Sequence, residues 1–272
     1  MPKNPAKLRK LGPDATDEER AEASGITVDE LRQQRREHEE HNKLTMKLWN
    51  KKEKLHPDLI PFVEKSGDFW FIKHPLYNNM YSAKSPDHNA LINYQYLHSK
   101  NLAEERLAKK DWLGYIIAHE GPFQMEVLHG LVNHLADKEY WEMIGNIFTN
   151  MDNQWQYKDI LEKLLTSDRP KRSSIMTTSE RRKLSTLPDE IQVYRGYGIA
   201  RFKEGWSWTT DQAKAEWFAR RFAALDHVKP KVITGTVSKT DVIAYFGRRK
   251  ESEIVCRPKS VKEIFKITMN SQ

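Results

Sequence analysis

Lys231-Val232-Ile233-Thr234-Gly235-Thr236-Val237 and, shortly after it, Asp241-Val242-Ile243-Ala244-Tyr245 decide the fold class. β-Branched side chains crowd a helical backbone but pack well on a pleated one, so runs of this length and composition predict strands. Three more runs have the same character: Ile191-Gln192-Val193-Tyr194, Glu253-Ile254-Val255-Cys256 and Ile264-Phe265-Lys266-Ile267. All five lie beyond Ser167. A single helix is predicted among them, N-capped by Thr210 or Asp211, with Ala213, Trp217, Phe218, Phe222 and Leu225 on one apolar face.

Upstream the pattern is helical. Residues 1–65 read as a charged helical arm: a short helix opening at Asp17 stops near Gly25, and Thr27 with Glu30 fits a capping box for the next. From Val28 to Leu55 the apolar positions (Leu31, Leu44, Leu48, Trp49, Leu55) are too sparse for a core helix. Residues 66–170 are predicted to be a helical lobe, with apolar faces at Leu91–Leu107, Trp112–Ala118, Val127–Leu135 and Tyr140–Phe148. Residues 171–272 hold the strands. Helices first and strands afterwards give an α+β chain.

The composition excludes several classes. Hydrophobic residues at 38%, charged residues at 31% and eight Trp describe a folded chain with a wet surface rather than a disordered one. The start, MPKNPAKLRK, has no apolar signal region, and no run is long and apolar enough for a bilayer, so a cytoplasmic protein with no membrane partner is expected. Cys256 is the single cysteine, which rules out an internal disulfide and a thiolate zinc cluster. His129 and His134 stand five apart, not the three or four that two ligands on one helical turn need, so no metal is expected. Lys73-His74-Pro75-Leu76 reads as a turn.

The net charge of +7 is unevenly spread. Residues 171–272 carry 21 Lys and Arg against 11 Asp and Glu, or +10, which leaves −3 for the first 170. Such asymmetry favours a polyanionic partner through long-range attraction and counterion release.

Three pieces of the β-rich third could carry chemistry together. Val193-Tyr194-Arg195-Gly196 sets an arginine at a strand end; its planar fork can grip a pyrophosphate, and the glycine allows close approach of a chain or ligand. Gly205-Trp206-Ser207-Trp208-Thr209-Thr210 puts hydroxyls and indoles at a helix entrance, where an anion is favoured. In Glu251-Ser252-Glu253, strand alternation would set both carboxylates on one side.

The ordered series strand–Arg–Gly, Ser-x-Thr–helix, Glu-x-Glu–strand resembles the arginine–serine–glutamate class of ADP-ribosyltransferases, found in bacterial toxins and phage enzymes. The resemblance covers roughly residues 185–268. It implies a mixed β-sandwich core and NAD⁺ as co-substrate. Arg195 then matches the arginine that holds the NAD⁺ phosphates and nicotinamide ribose, with Gly196 beside it. Ser207 orients the catalytic glutamate, and Thr209 supports the nicotinamide end. Trp208 and Thr209 depart from the family's Ser-Thr-Ser element. Glu253 matches the catalytic glutamate, and Glu251 the position that activates or selects the acceptor. Tyr245, Phe246, Gly247, Arg248, Arg249 and Lys250 occupy the target-recognition turn.

The implied reaction is transfer of ADP-ribose to a macromolecule. Glu-x-Glu is associated in that family with arginine acceptors, hence a protein, which is the acceptor favoured by the sequence; the +10 charge points instead to RNA or DNA. A toxin, an antiviral-defence or toxin–antitoxin component, or a phage effector are all consistent with it, and residues 1–65 could receive an antitoxin or chaperone. Two other classes stay open: an NAD⁺ glycohydrolase with water as acceptor, and a non-enzymatic RNA-binding or interaction protein on this fold.

Overall fold

The structure, a computed structural model, describes residues 12, 14–49, 51–84, 88–151, 154–199, 203, 205–249 and 251–267. Lys250, placed above in the target-recognition turn, lies outside the described residues. The chain divides into two compact units, Met1–Asn101 and Leu102–Gln272, and is α+β.

In the first unit, helix α1 (Asp17–Ser24) opens on a capping box between Thr16 and Glu19 and ends at Gly25, whose φ of 71° is the left-handed value that a glycine stop supplies. Helix α2 (Val28–Trp49) begins on the box formed by Thr27 and Glu30 and buries none of its residues, as its thin apolar stripe predicts. The next segment departs from expectation. Strands β1 (Val63–Ser66), β2 (Phe69–His74) and β3 (Tyr77–Ser82) form an antiparallel meander where the helical lobe was expected to begin. The aromatic run Phe69-Trp70-Phe71 favours a pleated surface, and Gly67 at φ 57° and the Pro75-Leu76 turn close the hairpins. Leu59, Ile72 and Tyr77 pack there with Ile92 and Tyr96 of helix α3 (Asn89–Ala108).

The second unit is layered. Helices α4 (Trp112–Ile117), α5 (Gln124–Leu131), α6 (Asp137–Asn150) and α7 (Lys158–Leu165) supply one layer, and α8 (Thr178–Ser185) leads into the sheet. Strands β4 (Glu190–Tyr197), β5 (Ser207–Thr209), β6 (Lys231–Ser238), β7 (Val242–Phe246), β8 (Glu253–Cys256) and β9 (Lys262–Ile267) pair in the order β7-β8-β5-β4-β6-β9. Among the described residues every pairing is antiparallel, where the resemblance implied a mixed β-sandwich. The shortest connection between neighbouring strands, six residues between β7 and β8, suits an antiparallel pair, whereas a parallel pair needs a long crossover.

The two faces of β4 read differently. Ile191 and Val193 join Trp141, Ile144, Phe148 and Leu161 in the main core. Tyr194 faces Ala215 and Ala219 of helix α9 (Gln212–Asp226) on the other side. Here too an expectation is corrected. The sheet-facing residues of α9 are Ala215, Ala219 and Ala223, while Trp217 is 49% and Leu225 71% exposed. Gly196 explains the exchange: a Cβ there would overlap the Ala215 carbonyl and the Ala219 amide, so the helix lies too close to β4 for large side chains.

Candidate active site

The ladder has a weak seam at its centre. Strands β4 and β5 share one register pair, Tyr194 with Thr209, whereas β4 and β6 pair along all eight residues of β4. Past Tyr194 the backbone of β4 no longer pairs with β5, and a side chain takes over: an Arg195 Nη1–H donates to the Ser207 carbonyl. A cleft of about 900 Å³ opens along this seam, within the range of cofactor and substrate sites. Arg195, Gly196, Ser207, Thr209, Glu251 and Glu253 all line it, so the three separated sequence pieces meet at one place.

Register explains the meeting of Ser207 and Glu253. In the antiparallel β5–β8 pair, Thr209 lies opposite Glu253 and Ser207 opposite Val255. Ser207 and Glu253 are therefore diagonal neighbours on one face, within side-chain reach. The Ser207 hydroxyl donates to Glu253 Oε1. Glu253 is 8% exposed, and burial pushes its carboxyl up to about 7; the Ser207 bond opposes that rise, the Glu251 charge adds to it, and Arg195 opposes it. Burial draws the Arg195 guanidinium down to about 10 while Glu253 holds it up, so it remains cationic at neutral pH.

Glu251 reaches the cleft by another route than strand alternation. Strand β8 begins only at Glu253, and Ser252 between the carboxylates has φ 47°, a left-handed conformation that a residue with a Cβ adopts at a cost of about 1–2 kcal/mol. Two bonds fix that turn. The Thr209 hydroxyl donates to the Glu251 carbonyl at 2.6 Å, and the Thr210 amide to the Ser252 carbonyl at 3.1 Å. Thr209 Oγ1 also accepts from the Asp211 amide at 3.1 Å, joining the turn to the start of α9, which Asp211 caps through the Ala213 and Lys214 amides. The hydroxyl of Thr209 is thus occupied by backbone.

The indoles of this segment are core residues. Trp206 and Trp208 are 5% and 2% exposed, and Trp208 Nε1–H donates to the Gly205 carbonyl at 3.0 Å. They shape the cleft floor; its aromatic wall comes from α9, where the Phe218 and Phe222 rings stack with centroids 5.8 Å apart. Gly205 has its own purpose, since a Cβ there would strike the Arg195 guanidinium.

The expected target-recognition turn begins inside the core. Tyr245 and Phe246 belong to β7 and are buried, which removes them from contact with an acceptor. Arg248 is bracketed by protein: it donates to both carboxylate oxygens of Glu180, to Asn146 Oδ1 at 3.2 Å and to the Ile175 carbonyl at 3.3 Å. Arg249 does face the cleft. Its Nη1–H donates to the Thr149 carbonyl at 2.9 Å, and its Nε stands 3.6 Å from Glu251 Oε1. Sequence reasoning did not foresee this ion pair, because the turn at Ser252 that folds Glu251 back has no signature in a serine.

Cys256, at the end of β8, is buried, and burial pushes its thiol up to about 12, so it is not a nucleophile at neutral pH. Among the described residues no three His, Cys, Asp or Glu side chains gather as a metal site, and no helix is long and apolar enough to cross a membrane. Comparison of the chain with protein-family models, with curated proteins and with solved structures finds no match.

Proposed function

We propose that this protein is an NAD⁺-consuming mono-ADP-ribosyltransferase that uses the seam cleft as its donor site and acts in the cytoplasm of a producing or infected cell as a toxin, defence component or phage effector. The observation that carries the proposal is the Ser207–Glu253 hydrogen bond, a buried carboxylate oriented by a hydroxyl within one cleft that Arg195 also lines. The order of these residues along the chain supports it, as does the single Tyr194–Thr209 register pair by which β4 and β5 leave the cleft open between them.

NAD⁺ is the substrate, and the residues suit its chemistry. Arg195 supplies a fixed cation for the pyrophosphate and ribose, and the Phe218–Phe222 wall offers apolar faces to a flat ring. Breaking the N-glycosidic bond sends the bonding electrons to nicotinamide, which leaves neutral, and positive charge develops on the ribose. A carboxylate aimed at that ribose stabilises charge present chiefly in the transition state. Glu253 has the burial and orientation for this task, with Ser207 as its positioning residue. The cationic pyridinium of the bound substrate would itself favour the ionised form of a carboxyl poised at about 7. Glu251 stands at the cleft to receive the proton of the acceptor as its lone pair closes on the anomeric carbon.

The test is nicotinamide release from NAD⁺ by the full chain, wild type beside Glu253→Gln. A wild-type rate that the substitution lowers by about 10²–10³-fold is expected. Equal rates for the two proteins, or no release by wild type in the presence of cell extract, would overturn the proposal.

A further inference from the structure

We infer that the acceptor of this site is single-stranded nucleic acid, an assignment that rests on the transferase function proposed above and narrows it. The first ground is the Arg249–Glu251 pair. An arginine acceptor would have to place its guanidinium against Glu251, and there the chain has already placed one of its own, 3.6 Å away and anchored to the Thr149 carbonyl. An incoming guanidinium meets a like charge instead of a free carboxylate. A phosphate approaching the same point attracts Arg249, and a base or ribose hydroxyl brings a neutral nucleophile to Glu251.

The second ground is the cleft rim. Lys158, Arg221, Arg249, Arg257 and Lys259 line the cleft in addition to Arg195; the opposing carboxylates are Asp159, Glu162 and the Glu251–Glu253 pair. The five rim cations are all exposed. Cations at the cleft and on the adjoining outer face of α9 sit beside partly exposed indoles. On one side Trp155, 37% exposed, carries Lys158 Nζ 5.3 Å from its ring centre. On α9 Trp217, 49% exposed, carries Lys214 Nζ and Arg221 Cζ, each at 5.4 Å, and meets the wall residue Phe218 edge to face at 5.0 Å. Indoles that stack bases beside cations that pair phosphates are the combination by which single strands are held without sequence preference.

The step balances without further reactants. The bond from the ribose anomeric carbon to nicotinamide breaks with its electron pair on nicotinamide. A lone pair on a base nitrogen or ribose oxygen forms the new bond, and the displaced proton passes to Glu251.

The experiment incubates the full chain with NAD⁺ labelled in its adenylate phosphate, against mixed-sequence single-stranded RNA and DNA oligonucleotides and, separately, against a protein extract freed of nucleic acid. Nicotinamide release is read in every tube. Label on the oligonucleotides that survives protease and is lost to nuclease is the expected result. It should fall about tenfold in Lys214→Glu/Trp217→Ala and decline with salt more steeply in wild type than in that variant. Nicotinamide release with label on protein alone, or on neither polymer, overturns the nucleic-acid assignment and leaves NAD⁺ cleavage standing. No nicotinamide release in any tube overturns the transferase function beneath it. Circular dichroism of the variant, whose two substituted residues lie on the exposed side of α9, separates lost binding from lost fold.

Discussion

The Ser207 hydroxyl donates to the buried carboxylate of Glu253 from the neighbouring antiparallel strand, one register step away from the direct Thr209–Glu253 pair. This bond stabilises the ionised carboxylate and works against the burial that pushes Glu253 up to about 7. Ser207→Ala removes the stabilisation, so Glu253 rises further. The proposed mechanism needs the carboxylate, so the wild-type rate of NAD⁺ cleavage should rise with pH through about 7. In Ser207→Ala that limb moves to higher pH, with about a tenfold or greater loss at neutral pH. A pH–rate profile of the two proteins checks it; coincident limbs would contradict the role assigned to the bond.

The same carboxyl makes a separable stability prediction. Its folded value, about 7, lies above its ordinary 4.5, so the folded state holds a proton that the unfolded state has released. The resulting stabilisation is complete below the ordinary value and is lost as pH rises through the folded one. Glu253→Gln has no such titration. Wild type should therefore lose stability relative to Glu253→Gln between pH 4.5 and 7, by up to about 3 kcal/mol, while being the faster enzyme of the two. Urea denaturation of both proteins at pH 5 and pH 8 measures the difference.

The legible part of the site was its order along the chain, and the illegible part was what each residue faces. Arg195, Ser207 and Glu253 could be picked out because strand, turn and helix signals flank them in the right succession. Trp206 and Trp208 resembled a ring-binding pair, yet both are core residues, because alternation in a three-residue strand does not say which face is wet. The aromatic face of α9 was misread for a related reason. Helical spacing groups Trp217 with Phe218 and Phe222, but Gly196 on a distant strand admits only alanines against the sheet. The β1–β3 meander was missed because its strands are short and partly polar, and no helical period marked their absence.

Arg248 and Glu180 form a bracket with a different measurable consequence. Glu180 is 4% exposed, and it accepts from the Thr177 amide and hydroxyl, the Gly247 amide and Arg248. Burial alone would raise its carboxyl, but those hydrogen bonds outweigh it and hold the carboxyl below the usual range. A lowered folded value means stabilisation that is present above the ordinary pKa and disappears as pH falls through the folded one. Glu180→Ala takes the carboxylate partner from Arg248 and the Glu180 half of the capping box from α8, and should cost about 2–3 kcal/mol at neutral pH. That penalty should shrink as pH falls below 4.5 and through the lowered folded value, where wild type loses the same bonds. Chemical denaturation across this range checks both statements.

Two glycines at the cleft should respond to alanine in opposite ways. At Gly196 the new Cβ meets backbone, the Ala215 carbonyl and the Ala219 amide, so α9 must lift from β4. Displaced packing of this kind costs about 1–3 kcal/mol or more, and Gly196→Ala should lower the melting temperature with activity following the fold. At Gly205 the new Cβ meets the end of a flexible side chain, the Arg195 guanidinium. Arg195 can swing aside, so Gly205→Ala should melt near wild type. It should nevertheless raise KM for NAD⁺ about tenfold or more, because the cation proposed to grip the pyrophosphate has left its position. Thermal melts and NAD⁺ saturation curves for both variants separate the effects. A Gly205→Ala protein with unchanged KM would remove Arg195 from the donor site.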